Sequence, residues 1–374
     1  MEAPQTRTDL GQDKSTLSAR VVLPQGVLPH DARASKSPEK SNRRDDDSDE
    51  DEDEDISHSP PPQEGDAPPD GDFLVDFADE TEELDLIHSR IDSIATLHLP
   101  RFAPYLKKLC LRQNDISFLD PEVFEVLVNL EELDLYDNKV KHVGRALDKL
   151  DKLLVLDLSF NLLKSVPEGL DNLQALHTIY FVQNKISAIS GLHASTTLRS
   201  LELGSNRLRK IEGLDALVNL EELWLGKNKL TKIENLGHLK SLKILAIQSN
   251  RIVKLEGLEE LENLEQLYLS HNGIKRLEGL EKNVKLTTLD VSSNFVPALE
   301  NISHLTNLEE LWMSGNQIPN LLALDTELRS ISTLRTIYLE ANPCQTSDRT
   351  GYRRKVILAL PQVTQIDATY VRVP

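Results

Sequence analysis

From Leu84 onward, apolar and polar positions alternate in one recurring phrase: LKKLCLRQN, LEELDLYDN, LLVLDLSFN, LHTIYFVQN, LRSLELGSN, LEELWLGKN, LKILAIQSN, LEQLYLSHN, LTTLDVSSN, LEELWMSGN and LRTIYLEAN. The closing asparagines are Asn114, Asn138, Asn161, Asn184, Asn206, Asn228, Asn250, Asn272, Asn294, Asn316 and Asn342. Their spacings are 24, 23 and 23, then 22 six times, then 26. Eleven copies in one register exclude chance. A degenerate twelfth, TEELDLIHS with Ser89 in the asparagine place, opens the array, as expected of a terminal repeat that caps a core. Within each phrase the apolar residues fall at alternate positions, so they point to one side of a short strand and their neighbours to the other.

This is the pattern L-x-x-L-x-L-x-x-N of the leucine-rich repeat. It predicts an α/β solenoid of about twelve repeats of about 22 residues, with parallel strands stacked on the concave side. At roughly 4.8 Å per strand, that face is on the order of 55 Å long. The asparagine amide is expected to satisfy backbone groups that the turn leaves unpaired. A 22-residue unit leaves thirteen residues for the return, too few for a long helix, so short 3₁₀ turns are expected on the convex side. The return segments also repeat. Glu212, Glu234, Glu256, Glu278 and Glu300 should form an acidic row, with Lys210, Lys232, Lys254 and Arg276 as a basic row beside it.

Both ends break the pattern. Residues 1–75 carry 19 acids and 8 bases, are rich in Pro, Ser and Asp, and are acidic at every position from Asp45 to Asp55 except Ser48. Such a segment buries too little to fold, so it is expected to be a disordered acidic tail, with Ser37, Ser48 and Ser59 in kinase-favoured contexts. The solenoid is then assigned to 76–342. Residues 343–374 read as a C-terminal cap, with a helix over Asp348–Leu360 closed by Pro361 and a final apolar turn through Val363 and Ile366. Arg353, Arg354 and Lys355 are expected on its solvated face.

Charge and cysteine usage narrow the function. A formal net charge of −19 argues against nucleic acid or an anionic membrane as the main ligand. No stretch of 18 apolar residues occurs, which excludes a helical membrane span. Two distant cysteines, Cys110 and Cys344, and an N-terminus without an apolar signal region lead to the expectation of a nuclear and cytoplasmic protein. A Walker loop, a nucleophile elbow, an HExxH pair and a CxxC pair are all absent from the sequence, and its ten histidines are scattered. No catalytic role, cofactor or metal is expected.

The concave strand face is where a choice of residues would express a partner. Its central column reads Cys110, Asp134, Asp157, Tyr180, Glu202, Trp224, Ala246, Tyr268, Asp290, Trp312 and Tyr338, so that acids and large aromatics dominate. Both tryptophans of the chain stand in it. Flanking positions add Glu132, Tyr136, Phe160, Glu222, Glu310 and Glu340. Tryptophan and tyrosine are frequent anchors of protein interfaces, and an acidic, aromatic face suits a partner with basic and apolar patches.

The strings LCLRQN, LDLYDN, LELGSN, LGKNK, LYLSHNGI, LEGLE, NISHLT and YRRKVILALPQVTQIDAT resemble the leucine-rich-repeat regulatory subunits of protein phosphatase 1, the regulatory subunit 7 family. The resemblance covers about residues 75–374. It implies a non-catalytic subunit, monomeric on its own, that grips the phosphatase catalytic subunit with its concave face. Carried over by position, the implied contacts are Asp157, Tyr180, Glu202, Trp224, Asp290, Glu310, Trp312 and Tyr338; Tyr180 and Trp224 stand where the family commonly has phenylalanine. It also implies control of phosphatase activity, maturation or localisation, inhibitor-3 as a further partner, and a bearing on mitosis. The Arg/Lys-x-Val-x-Phe docking peptide of other phosphatase 1 regulators is missing, since Arg354, Val356 and Leu358 end in leucine. The competing expectation is a leucine-rich-repeat scaffold for a different protein, spliceosomal or cytoskeletal.

Overall fold

The computed structural model of the chain describes residues 74–371. Twelve three-residue strands run through it: β1 (Glu83–Asp85), β2 (Lys108–Cys110), β3 (Glu132–Asp134), β4 (Val155–Asp157), β5 (Thr178–Tyr180), β6 (Ser200–Glu202), β7 (Glu222–Trp224), β8 (Ile244–Ala246), β9 (Gln266–Tyr268), β10 (Thr288–Asp290), β11 (Glu310–Trp312) and β12 (Thr336–Tyr338). Each pairs in parallel with the next, equivalent residue against equivalent residue. The sheet therefore repeats the sequence register without slip. The middle residue of every strand is at most 1% exposed, from Leu84 through Leu245 to Ile337. Fully burying such a side chain contributes about 1.5–3 kcal/mol, which accounts for the dominance of leucine there.

The asparagines act as expected. In Asn228, Oδ1 accepts from the Leu208 amide of the preceding repeat at 2.9 Å, while Nδ2 donates to the carbonyls of Leu203 and Leu225 at 2.9 and 3.1 Å. The same bonds recur from Asn114 to Asn342. The turn that presents each asparagine needs its predecessor in the left-handed region, with φ between 53° and 58° at the L-residues from Gln113 to Ala341 and 67° at Gly315. A second left-handed position lies in the return segment, where a Cβ on Gly213 would meet the Ile189 carbonyl oxygen at 2.3 Å. That contact explains the glycine of the Ile-Glu-Gly-Leu phrase.

The convex side departs from expectation. Only Ile94–Leu97, Leu99–Phe102 and Leu170–Asn172 are 3₁₀ helices among the described residues, and the 22-residue returns use isolated turns instead. Thirteen residues must cross the width of the coil twice, which leaves extended segments joined by single turns. The acidic and basic rows do meet: Lys210–Glu212 at 3.6 Å, Lys254–Glu256 at 3.0 Å and Arg276–Glu300 at 3.3 Å. These pairs are solvated and add little stability.

At the N-terminal end, Leu74 is fully buried in the core although it falls within the expected tail; residues 1–73 of that tail lie outside the described residues. At the C-terminal end the cap helix is shorter than expected, Tyr352–Ala359, preceded by a separate turn of helix at Pro343–Thr346. Asp348 accepts from the Gly351 amide and pairs with Lys355 at 2.7 Å, which makes the stretch before Tyr352 a turn that leads into the helix. Tyr352, Val356 and Leu360 recur at four-residue spacing and cover the last repeat. The expected final turn is two further strands, β13 (Gln365–Ile366), parallel to β12, and β14 (Thr369–Tyr370), antiparallel to β13. Arg353 is not a solvated base: it donates to the carbonyls of Ile366, Thr369 and Tyr370 and ties helix to hairpin. No helix among the described residues is long and apolar enough to cross a membrane.

Candidate protein-docking face

Because the middle residue of each strand points inward, the first and third point out onto the concave sheet. Asp157, Tyr180, Glu202 and Trp224 stand side by side on β4 to β7. Asp290, Trp312 and Tyr338 do so on β10 to β12, with Glu310 at the first position of β11. All eight sequence-selected residues therefore share one face. They form two groups, separated by β8 and β9.

Two residues outside the selected eight join the groups. Ala246, on β8, is fully buried, because Trp224 and Tyr268 lean over it from either side with ring centroids 6.3 Å apart and planes 19° apart. Tyr268 meets Trp312 edge-on at 6.4 Å across Asp290, and Trp312 meets Tyr338 at 5.9 Å. Four rings thus run from β7 to β12 in mutual contact, each pair contributing about 0.5–1.5 kcal/mol beyond area burial. The small residue at position 246 was the available signal for Tyr268. The hydroxyls at this end are tethered: Tyr268 donates to Gln266 at 3.0 Å, and Tyr338 accepts from Gln365 of the cap at 2.8 Å. The indole Nε1 of Trp312 and Oγ of Ser314 are buried without a hydrogen-bond partner among the described residues.

The other end, β3 to β6, is carboxylate-rich. Burial, then the charges of Asp157 and Glu222, push the Glu202 carboxyl up to about 7. Burial also raises Asp134 and Asp157, against the backbone hydrogen bonds from Tyr136 and Ser159 that favour their charged forms. Tyr180, buried beside Glu202 and Asp157, is pushed up to about 12. Arg112 relieves this cluster, at 3.1 Å from Asp134, and its guanidinium also covers the Tyr136 ring at 4.2 Å. Tyr136 in turn packs on Phe160 at 4.8 Å.

The aspartates of the column are not a free choice about a partner. Oδ1 of Asp134, Asp157 and Asp290 accepts the amide two residues on, at 3.0, 2.8 and 2.9 Å, and so shapes the exit from each strand. Asp290 is only 6% exposed. Glu202, Trp224, Glu310 and Trp312 carry no such backbone bond among the described residues.

The family model described as Leucine rich repeat matches residues 104–163, and that described as Leucine Rich repeats (2 copies) matches overlapping windows from 196 to 305. An internalin of Listeria monocytogenes shares the fold with a TM-score of 0.66, at 23% identity over 78% of this chain and 82% of that one. The chain belongs to the leucine-rich-repeat family. Among curated leucine-rich-repeat relatives, "Protein phosphatase 1 regulatory subunit SDS22" of Saccharomyces cerevisiae is 48% identical over 106 residues, 28% of this chain and 30% of that one. "Protein phosphatase 1 regulatory inhibitor subunit PPP1R7 homolog" of Arabidopsis thaliana is 41% identical, over 36% of this chain and 48% of that one. Each of these two matches spans less than half of the relative's length. The repeat also brings in fibromodulin of Sus scrofa, 35% identical over 28% of this chain and 70% of that one. Possession of leucine-rich repeats by itself therefore names no partner.

Proposed function

We propose that this leucine-rich-repeat protein is a non-catalytic regulatory subunit that holds the catalytic subunit of protein phosphatase 1 against its concave sheet. The observation that carries the reading is the chain of rings Trp224, Tyr268, Trp312 and Tyr338, laid along one face of a rigid sheet beside the carboxylates Glu202 and Glu310. The names of the yeast and Arabidopsis relatives support the choice of partner. Aromatic anchors among acids suit a partner surface of basic and apolar residues. A face already held in place by ring contacts and the asparagine ladder loses little conformational entropy on docking. Inhibitor-3 as a second partner, and a nuclear and cytoplasmic distribution, belong to the same proposal.

The test is a calorimetric titration of the full chain with purified catalytic subunit, metal-loaded and metal-depleted, with phosphatase turnover followed in parallel. Tight binding that Glu310→Ala/Trp312→Ala abolishes supports both partner and face. Binding that the double variant retains removes the concave face from the proposal. No binding to either form of the enzyme leaves a leucine-rich-repeat adaptor for another protein.

A further inference from the structure

The last repeat is longer than its neighbours, and the added chain meets the cap. Asn316 to Asn342 spans 26 residues where the six preceding repeats span 22 each. The extra length lets the return form a short helix, Leu324–Glu327, which packs against the cap helix Tyr352–Ala359. Beside them opens a recess of about 480 Å³, whose apolar lining is Pro319, Leu321, Leu322, Cys344, Leu358 and Ala359.

This lining is uncovered. Leu322 is 81% and Leu358 66% exposed, and every other leucine among the described residues is at least partly buried. The two exposed leucines of the solenoid therefore border the same recess, one from the lengthened return and one from the cap helix. Leu322 is held where it stands: its amide donates to Oδ1 of Asn320 at 3.0 Å, and the Leu324 amide donates to the Leu321 carbonyl at 3.2 Å. Leu358 follows Arg354 by four residues, so the two share one face of the cap helix.

The charge around the recess is one-sided. Asp325 pairs with Arg329 at 2.8 Å and Asp348 with Lys355 at 2.7 Å, so both acids of the rim are already neutralised. Arg349 and Arg354 are exposed and form no ion pair among the described residues. Residues 343–371 carry four bases, Arg349, Arg353, Arg354 and Lys355, against two acids, Asp348 and Asp367, in a chain of net charge −19.

We propose that this recess docks an acidic amphipathic helix of a partner protein, its large apolar side chains seated against Leu322 and Leu358 and its carboxylates beside Arg349 and Arg354. The volume lies in the range of about 300–1,000 Å³ usual for binding pockets. A helix is favoured over an extended peptide because the recess has no strand edge: it is bordered by the cap helix and by a turn and short helix that follow Pro319. An extended chain would find no ladder to join, whereas a helix satisfies its own backbone and offers side chains alone. A nucleic acid would meet the two arginines and leave the leucines uncovered. None of the lining residues belongs to the concave strands, so the proposal does not depend on which protein docks there.

The probe is a fluorescein-labelled helical peptide of about fourteen residues, roughly 21 Å long, with leucines at i, i+3, i+4 and i+7 and glutamates on either side of them. Beside it stand a version with lysine for every glutamate and a scrambled version without an apolar face, all titrated against the full chain by fluorescence anisotropy. Binding of the glutamate peptide is expected to fall at least about tenfold in Leu322→Ser/Leu358→Ser and to be unchanged in Trp312→Ala. Arg349→Glu/Arg354→Glu should weaken the glutamate peptide and strengthen the lysine peptide relative to wild type, a gain that misfolding cannot produce. Thermal melts that match wild type confirm that both double variants, whose changes are on the surface, keep the fold. No binding of the glutamate peptide, equal affinity in the leucine variant, equal binding of the scrambled peptide, or no effect of the charge reversal overturns the proposal. So does self-association of the wild-type chain in sedimentation that Leu322→Ser/Leu358→Ser abolishes, which would assign the recess to a second copy.

Discussion

The two ends of the concave sheet solve opposite problems on the same backbone. From β3 to β6 the outward column gathers Asp134, Asp157, Tyr180 and Glu202, whose carboxyls are held above their usual range by burial and by one another. From β7 to β12 it gathers Trp224, Tyr268, Trp312 and Tyr338, whose rings satisfy one another. The first end is electrostatically unfinished and would gain from an arriving cation. The second is already packed and would contribute apolar area with little reordering. A leucine-rich-repeat array can combine the two because its core and asparagine ladder are indifferent to what the outward positions carry.

That indifference is the first thing to break. Leu245 lies inward on β8, near the junction of the two ends, and is fully buried. Leu245→Ala should cost about 2–5 kcal/mol in a urea melt, the usual range for a buried leucine in a packed core. Because each repeat leans on its neighbours, both ends should lose structure together. A variant as stable as wild type would mean that the outward and inward registers are not as described.

Truncating an outward ring should have the converse effect. Trp312→Ala removes two ring contacts, with Tyr268 and Tyr338, and at about 0.5–1.5 kcal/mol per pair should cost about 1–3 kcal/mol of stability. Its cost to binding of the phosphatase catalytic subunit should be about 2 kcal/mol or more, the size of an interface hot spot. Unchanged affinity in calorimetry would leave the aromatic end as surface packing and shift attention to the acidic end.

The comparison was only partly legible in the sequence. Strand register, ladder asparagines and both tryptophans could be read directly, because each repeat restates its neighbour and the solenoid converts sequence spacing into position. The contact between Trp224 and Tyr268 joins strands two apart and depends on how the rings lean over Ala246, which a column of letters does not encode. In the sequence the Asp157 and Asp290 side chains look like a choice about a partner, yet each also closes a local turn that alternation alone cannot show. The C-terminal hairpin was missed because it occurs once: Asp367 accepts from the Leu339 and Glu340 amides and from the Tyr352 hydroxyl, taking over past β12 a role that has no repeat to announce it.

The gap at Ala246 offers a finer test of the aromatic end. Ala246→Leu would drive a larger side chain between Trp224 and Tyr268, where the facing rings leave no room for it. Overpacking of this kind costs about 1–3 kcal/mol, and the low end is expected here because the rings can swing toward the open concave side. Affinity for the partner should fall about tenfold as the ring row is broken. If stability and affinity both stay at wild-type values, the four rings do not act as a unit.

The smallest effect is the one that tests the acidic end, and its sign is the informative part. In the native protein the Glu202 carboxyl keeps its proton up to about pH 7, while in the unfolded chain it ionises in the ordinary range, near 4 to 5. Between those values the native state binds more protons, so this group makes stability fall as pH rises from about 4.5 to 7, and leaves it level above. Transferring the whole displacement would amount to about 3 kcal/mol, but the side chain is partly solvated and can relax, so about 1 kcal/mol is expected. Glu202→Gln should therefore be more stable than wild type by about that amount at pH 8 and indistinguishable from it near pH 4.5, in matched urea melts. The same logic runs through binding. A cationic side chain docked beside Glu202 restores the charged form as the preferred one, so wild-type affinity should rise between pH 6 and 8 while that of Glu202→Gln stays level. A variant whose stability relative to wild type does not change with pH would show that the carboxylates of β3 to β6 are no more strained than an ordinary solvated surface, and the contrast between the two ends of the sheet would reduce to one of side-chain size.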